Sequence, residues 1–438
     1  MPKLDVPDSE VAPVPPTTPH EASAANAELI ARYADGRERL KLTWLLAALS
    51  MLGPFSIDTY LPAFPAMEAA LPATEMQMQL TLTVYFIGFA IVSLFHGAIS
   101  DSIGRKPVIL GTIAVHALGS AGCALAQSIE SLLAFRALQG CFAGAGFVVG
   151  RAIVRDLFAG DEAQRQLSRI QMLFALAPIV APILGGWLVA QLAWPAIFWF
   201  LAAYGLLLIV WTQLGLVETH PAEHRLLLAV KPLALTYWRM FFNREFQLLA
   251  AIPGINFVGF FTYIAGAPAF LIRHLGLRST DFAMLFIPGI AGITLAAWCS
   301  GRLAGKVDHE RQMRWGFSVM IGAALANLAV SLWLPAGVVW NIAPIAIYTF
   351  GMALVTPGIT LKLLDAFAHA RGSVSALQSS THVGMMAVTT AVIVPFAQQS
   401  LQRFAVVMLA SVAIGAALWK IYLTTHPTTP APRLDCDP

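Results

Sequence analysis

The sequence predicts an all-α membrane protein whose twelve transmembrane helices form two pseudo-symmetric six-helix bundles. Three observations predict it. The 438 residues are 58% hydrophobic and only 12% charged, with a mean hydropathy of +0.70. A soluble domain is about a quarter charged and about half apolar, so this chain carries more apolar surface than a water-solvated core can hide. Apolar runs of about 20 residues, enough to cross roughly 30 Å of hydrocarbon, recur twelve times along the sequence. Lys and Arg crowd into alternate links between those runs.

The runs cover residues 42–64, 78–99, 107–126, 131–157, 168–190 and 195–216, then 247–272, 281–301, 312–334, 338–361, 373–396 and 402–423. Strands of a membrane barrel would alternate in polarity and be about half as long, so the runs are helices. With the N-terminus in the cytoplasm, inner segments carry 23 of the 27 Lys and Arg, outer links carry 3, and Arg136 lies inside a span. That bias predicts both termini inside.

Residues 1–40 contain a proline-rich polar stretch, PDSEVAPVPPTTPH, and are expected to form a disordered cytoplasmic tail. The first bundle is 41–216 and the second 247–424. A cytoplasmic linker, 217–246, joins them, and 425–438 is a cytoplasmic tail. The linker's YWRMFFNREF segment mixes aromatic and charged residues and suits the membrane interface. An internal echo supports two related halves. Pro62-Ala63-Phe64 recurs as Pro268-Ala269-Phe270, Gly97 as Gly301, and Arg155-Asp156-Leu157-Phe158 faintly as Leu364-Asp365-Ala366-Phe367, at offsets of 206, 204 and 209. Paired bundles of this sort are a common transporter build.

Between spans two and three lies HGAISDSIGRKPVIL, residues 96–110. Gly97 is expected to let span two pack closely, and Gly104 to permit a turn that a side chain would strain. Arg105 and Lys106 hold the loop inside. Asp101 can accept from helix N-terminal N–H groups or pair with an arginine. Arg151 and Arg155, at the inner end of span four, are the expected partners in a latch that closes the inner side.

Two charges lie inside spans. Asp58, in span one, would cost roughly 2.5–3.5 kcal/mol facing lipid at a helix centre, so it is expected to face an interior cavity. There a carboxyl can take a proton from one side and release it to the other. The other reading puts Asp58 at the outer helix end, in water. Arg136 in span four needs a partner: a backbone carbonyl, the ionised Asp58 or a substrate group, unless it snorkels outward. In span five, Pro178 and Pro182 lack N–H donors and adjoin Gly185-Gly186. This predicts a kinked, closely packed helix that serves as pivot, seal or packing kink. Weaker candidates for a cavity are Tyr60, Tyr85, Asn256, Tyr263, Gln378 and His382, each better suited to an interhelical, structural role than to substrate contact.

These stretches resemble known motifs. The 96–110 loop resembles the signature Gly-x-Leu-Ala-Asp-Arg-x-Gly-Arg-Lys-x-x-Leu of the major facilitator superfamily, with Ser102 where the family has a base. Residues 53–65, GPFSIDTYLPAFP, are similar to the first-helix motif of the drug:proton antiporters, above all the bicyclomycin/chloramphenicol-resistance branch. Arg136-Ala137-Leu138-Gln139-Gly140 resembles that family's Arg-x-x-Gln-Gly motif. Residues 177–186, APIVAPILGG, are similar to its span-five motif, with two early glycines replaced by alanine. Ser50 stands where some members carry a second acid.

The resemblance implies the major facilitator fold and export of small amphipathic compounds in exchange for protons by alternating access. Asp58 and Arg136 would then take part in proton coupling. A proton-coupled exporter or importer of one metabolite on the same fold is the alternative. No GxxxxGK[ST] loop is present to bind nucleotide. No cluster of catalytic side chains suggests an enzyme, and the cysteines Cys123, Cys141, Cys299 and Cys436 have no metal or disulfide spacing. The expected partners are a small-molecule substrate, protons and the lipid bilayer of a bacterial inner membrane. No cofactor, metal or nucleic acid is expected, and the chain is expected to act as a monomer.

Overall fold

The computed structural model describes residues 32–425 except 34, 226–227 and 304–305. Most of the expected N-terminal tail and nearly all of the C-terminal one lie outside the described residues. Among those described, twelve helices are long and apolar enough to cross a membrane, and no strand occurs. Spans one to six are Gly36–Ala70, Glu75–Ile103, Arg105–Ala124, Ile129–Leu157, Gly160–Gln191 and Pro195–Gly215. Spans seven to twelve are Arg244–Ala265, Ser279–Leu303, His309–Trp333, Val338–Ala366, Ala368–Ala397 and Leu401–Thr425. A linker helix, Val230–Phe241, lies between the sixth and seventh.

Several spans run past their apolar stretches because polar caps carry them into water. Asp35 caps span one by accepting from the Arg37 N–H, so the helix begins at Gly36 rather than after residue 41. Thr74 and Gln77 form a reciprocal cap on span two. Asn243 accepts from the N–H groups of Glu245 and Phe246 at the start of span seven. Span five begins at Gly160, eight residues before its apolar run, with a polar helical stretch over 160–169.

The halves echo each other in space as in sequence. Pro62-Ala63 lies in a tight 3₁₀ turn that follows the main helix of span one. Pro268-Ala269 opens a π-helical stretch that follows span seven. Asp156 and Asp365 close spans four and ten. Large apolar side chains such as Leu118, Leu206, Leu214 and Trp333 are more than half exposed, as a lipid-facing surface requires.

Bonds between the halves gather toward one end of the helices, the face opposite the 96–110 loop. Arg273, after span seven, pairs with Glu75 at the start of span two. The Gln79 side chain donates to the Ala265 carbonyl at 3.2 Å. Thr83 and Thr390 share a hydrogen bond of 2.9 Å. Deeper, Ser380 in span eleven donates to the Ala90 carbonyl at 2.6 Å.

Candidate functional site

The regular helix of span one stops at Asp58. Proline 54 removes one helical N–H. Beyond Asp58, the Thr59 N–H bonds the Phe55 carbonyl and the Tyr60 N–H bonds Ile57. This irregular turn frees the Ser56 carbonyl for another donor. Asp58 is 6% exposed, so it faces neither acyl chains nor bulk water. Among the described residues its carboxylate has no hydrogen-bond or ion-pair partner.

The donor on Ser56 is Arg136. Its Nη1 gives one bond to the Ser56 carbonyl at 3.0 Å and one to Gln139 Oε1 at 2.8 Å. The guanidinium lies between two phenol rings, 4.6 Å from the centre of Tyr60 and 4.4 Å from that of Tyr85. Each such contact is worth about 2 kcal/mol when desolvated. Arg136 is fully buried and does not snorkel. Of the partners open to it, the backbone carbonyl is the one present. Its Nε and Nη2 have no partner among the described residues.

Gln139 extends the network, donating to Ser120 Oγ at 2.7 Å. His116 Nε2 lies 2.9 Å from Ser56 Oγ. Ser56 spends its own hydroxyl proton on the Leu52 carbonyl, so the ring nitrogen donates. Four spans thus converge on one residue pair: one, two, three and four. Gly140 explains the end of the Arg-x-x-Gln-Gly motif, since a Cβ there would lie 2.0 Å from the Tyr85 carbonyl oxygen.

Span five brings the second constellation. A Cβ on Gly185 would lie 2.1 Å from the Thr59 carbonyl oxygen, beside Asp58. One on Gly186 would lie 2.2 Å from the Ser279 carbonyl oxygen, at the start of span eight in the opposite half. Pro178 stands in the first turn of the helix Ala177–Gln191 and Pro182 inside it, after a break at 175–176. The glycine pair therefore joins the turn that carries Asp58 to the partner bundle.

The 96–110 loop departs from expectation in two ways. Asp101 pairs with Arg105, one turn on, and Arg105 Nε also meets Asp156 Oδ2 at 3.0 Å. Arg151 instead stacks 4.0 Å over the Phe147 ring, and Arg155 makes no ion pair with Asp101. The short i to i+4 reach within the loop outcompetes a partner on another helix. Gly97 is not a close-packing point, since a Cβ there would meet Val148 at an ordinary 3.9 Å. Gly88 takes that role, since a Cβ there would lie 2.9 Å from the Ala137 carbonyl oxygen. Gly104 does adopt the positive φ expected, 111°.

Glu218, which sequence reasoning missed, closes this loop. Its carboxylate accepts from the N–H groups of Arg105 and Lys106 at 2.9 and 3.1 Å, capping span three. A side chain on Gly104 would collide with it at 2.7 Å. Lys106 Nζ donates to the Gln213 carbonyl at 2.9 Å.

The weaker candidates split. Tyr60 bonds Thr81 at 2.6 Å, and Tyr85 bonds the Gly53 carbonyl at 3.3 Å. Both are fully buried around Arg136. Tyr263 accepts from Asn327, and Gln378 donates to Thr360 at 3.2 Å, so these two hold helices together. Asn256 is fully buried, its side-chain amide unpartnered among the described residues. His382 is half-buried, its ring 4.6 Å from that of Phe257.

Two bundles, a buried acid and arginine between spans, and a loop stapled at one face define a membrane carrier. Comparison with known proteins agrees. The Major Facilitator Superfamily profile matches residues 44–391. The chain is 35% identical to the uncharacterized MFS-type transporter YdgK of Bacillus subtilis over 78% of this chain and 85% of that one. It is 33% identical to a bicyclomycin resistance protein homolog of Haemophilus influenzae, over 63% and 69%. It is 31% identical to a chloramphenicol resistance protein of Pseudomonas aeruginosa, over 76% and 78%. The nucleoside transporter NupG shares the fold at 13% identity, with a TM-score of 0.69 over 87% of this chain and 99% of that one. The chain belongs to the Major Facilitator Superfamily. It is a multi-pass inner-membrane transporter of small molecules rather than an enzyme.

Proposed function

We propose that the protein exports small amphipathic compounds, of the kind named in its bicyclomycin and chloramphenicol resistance relatives, in exchange for protons. It works as a monomer with both termini in the cytoplasm and no nucleic-acid partner. The halves 41–216 and 247–424 rock about the fixed site, and Asp58 carries the proton. One observation carries this reading: Asp58 is buried, and unpaired among the described residues, at the turn where span one meets Arg136 on one side and Gly185 on the other.

The conformation fits an inward-facing state. Glu75–Arg273, Gln79–Ala265 and Gly186–Ser279 close the outer side. On the inner side, the Asp101–Arg105–Asp156–Glu218 network joins the first half to the linker that follows it, not to the second half. Protonation of Asp58 removes the charge that burial disfavours. Loss of the proton restores a carboxylate that needs water or a cationic group, which favours the state that opens the site.

The test is transport in proteoliposomes under an imposed pH gradient, with chloramphenicol as probe. The native chain should drive export against its gradient, and Asp58→Asn should not. Undiminished gradient-driven export by the variant overturns the assignment.

A further inference from the structure

The linker helix Val230–Phe241 carries apolar side chains on two opposite sides. One side is docked: Tyr237 is buried, with Leu233 and Met240 packed against the core. The Tyr237 hydroxyl donates to the Leu94 carbonyl of span two at 3.2 Å. Leu94 is nine residues before Ile103, the inner end of that span, so the docking point lies about 13 Å along it. The opposite side is bare. Leu235, Trp238 and Phe242 are 48%, 63% and 57% exposed, and the last two rings touch, tilted by 56° with centres 4.6 Å apart.

Such a cluster is costly in water and ordinary at a lipid interface, where Trp is enriched. Charge selects the occupant further. The helix has Lys231 and Arg239 and no acid, and Arg244 follows it. Among the described residues, none of the three has a carboxylate within ion-pair distance. Basic residues flanking an apolar face attract anionic headgroups.

We propose that the linker helix is an interfacial anchor, with Leu235, Trp238 and Phe242 in the inner leaflet and Lys231, Arg239 and Arg244 on anionic phospholipid headgroups. The helix packs on span two of one half and on spans seven and eleven of the other. Lipid held there is coupled to the contact between halves.

The test labels Trp238→Cys with a nitroxide in a chain whose own cysteines are replaced by serine. The protein is reconstituted in phosphatidylglycerol or in phosphatidylcholine vesicles, with oxygen and a water-soluble nickel complex on both faces. Oxygen access should exceed nickel access several-fold in phosphatidylglycerol, and Lys231→Gln with Arg239→Gln should shrink that ratio. Nickel access equal to that of a label at Glu223→Cys overturns the anchor. Equal ratios in both lipids overturn the anionic preference. Should the cysteine-free chain not fold, the native chain and Trp238→Phe are compared in brominated phosphatidylglycerol. The native chain should be quenched more strongly, and equal quenching overturns the proposal.

Discussion

Arg136 is fully buried and bonds the carbonyl of Ser56, two residues before Asp58, at 3.0 Å. This buried charge is thus attached to the backbone of the turn that carries the acid, not to the acid itself. Asp58 is left free to change charge without breaking an ion pair.

Replacing Asp58 by Asn keeps the shape of the turn and removes the titrating group. Gradient-driven export should fall by at least ~10-fold, equal to about 1.4 kcal/mol in the driving step. Exchange of substrate for substrate without a gradient should persist. Vesicle flux with and without the pH gradient separates the two.

Arg136→Lys keeps the charge but loses the flat group stacked between Tyr60 and Tyr85. Lysine has no planar fork to stack and bond at once. Loss of both stacks should cost about 2–4 kcal/mol. Thermal unfolding in detergent should show a lower midpoint, and export should drop with it. An unchanged midpoint would contradict the caged geometry.

Gly185→Ala and Gly186→Ala should differ. Each adds a methyl about 2 Å from a carbonyl oxygen, and overpacking of this kind costs about 1–3 kcal/mol. At Gly185 the clash is within the first bundle, so both access states suffer. At Gly186 it lies between bundles, so only the state with the outer side closed suffers. Gly186→Ala should therefore raise labelling of a cysteine placed at the outer end of span eight by about tenfold per 1.4 kcal/mol. Gly185→Ala should not.

Glu218→Gln should weaken the cap on span three by about 1 kcal/mol, the cost of losing a charged acceptor at a helix start. Glu218→Ala should cost more. Amide exchange at Arg105 and Lys106 should quicken in the order native, Gln, Ala.

The Glu75–Arg273 pair is nearly half exposed on both sides. Exposed pairs are worth about 0.2–1 kcal/mol. Glu75→Gln should shift outer-side labelling by less than about fivefold, and added salt should erase the difference.

Much of this was legible in the residues. Twelve apolar runs marked the spans because only their length matters to a bilayer. Asp58 and Arg136 stood out because charge inside such a run is expensive, and Gly185-Gly186 because two adjacent glycines in a helix imply two close neighbours. Glu218 left no such trace. It lies in a polar link, where an acid is unremarkable, and its role comes from a fold that returns it to residues 113 positions earlier. Thr83 and Thr390 are equally silent, since a threonine in a span usually bonds its own helix. Asp101 was assigned to Arg151 or Arg155 because both lie at the right depth. The nearer Arg105 takes it, a competition that span positions alone do not rank. The close approach expected of Gly97 belongs to Gly88, about two and a half turns away on the same helix.

Adjacent residues on a helix point about 100° apart. The contacts of Gly185 with Thr59 and of Gly186 with Ser279 therefore wedge span five along two different directions. A rod gripped in that way cannot spin about its long axis without losing both grips at once. Tipping about the interruption at 175–176 is the motion that spares those grips, and it would lever the segment 160–174 against the spacing between Asp58 and the opposing bundle.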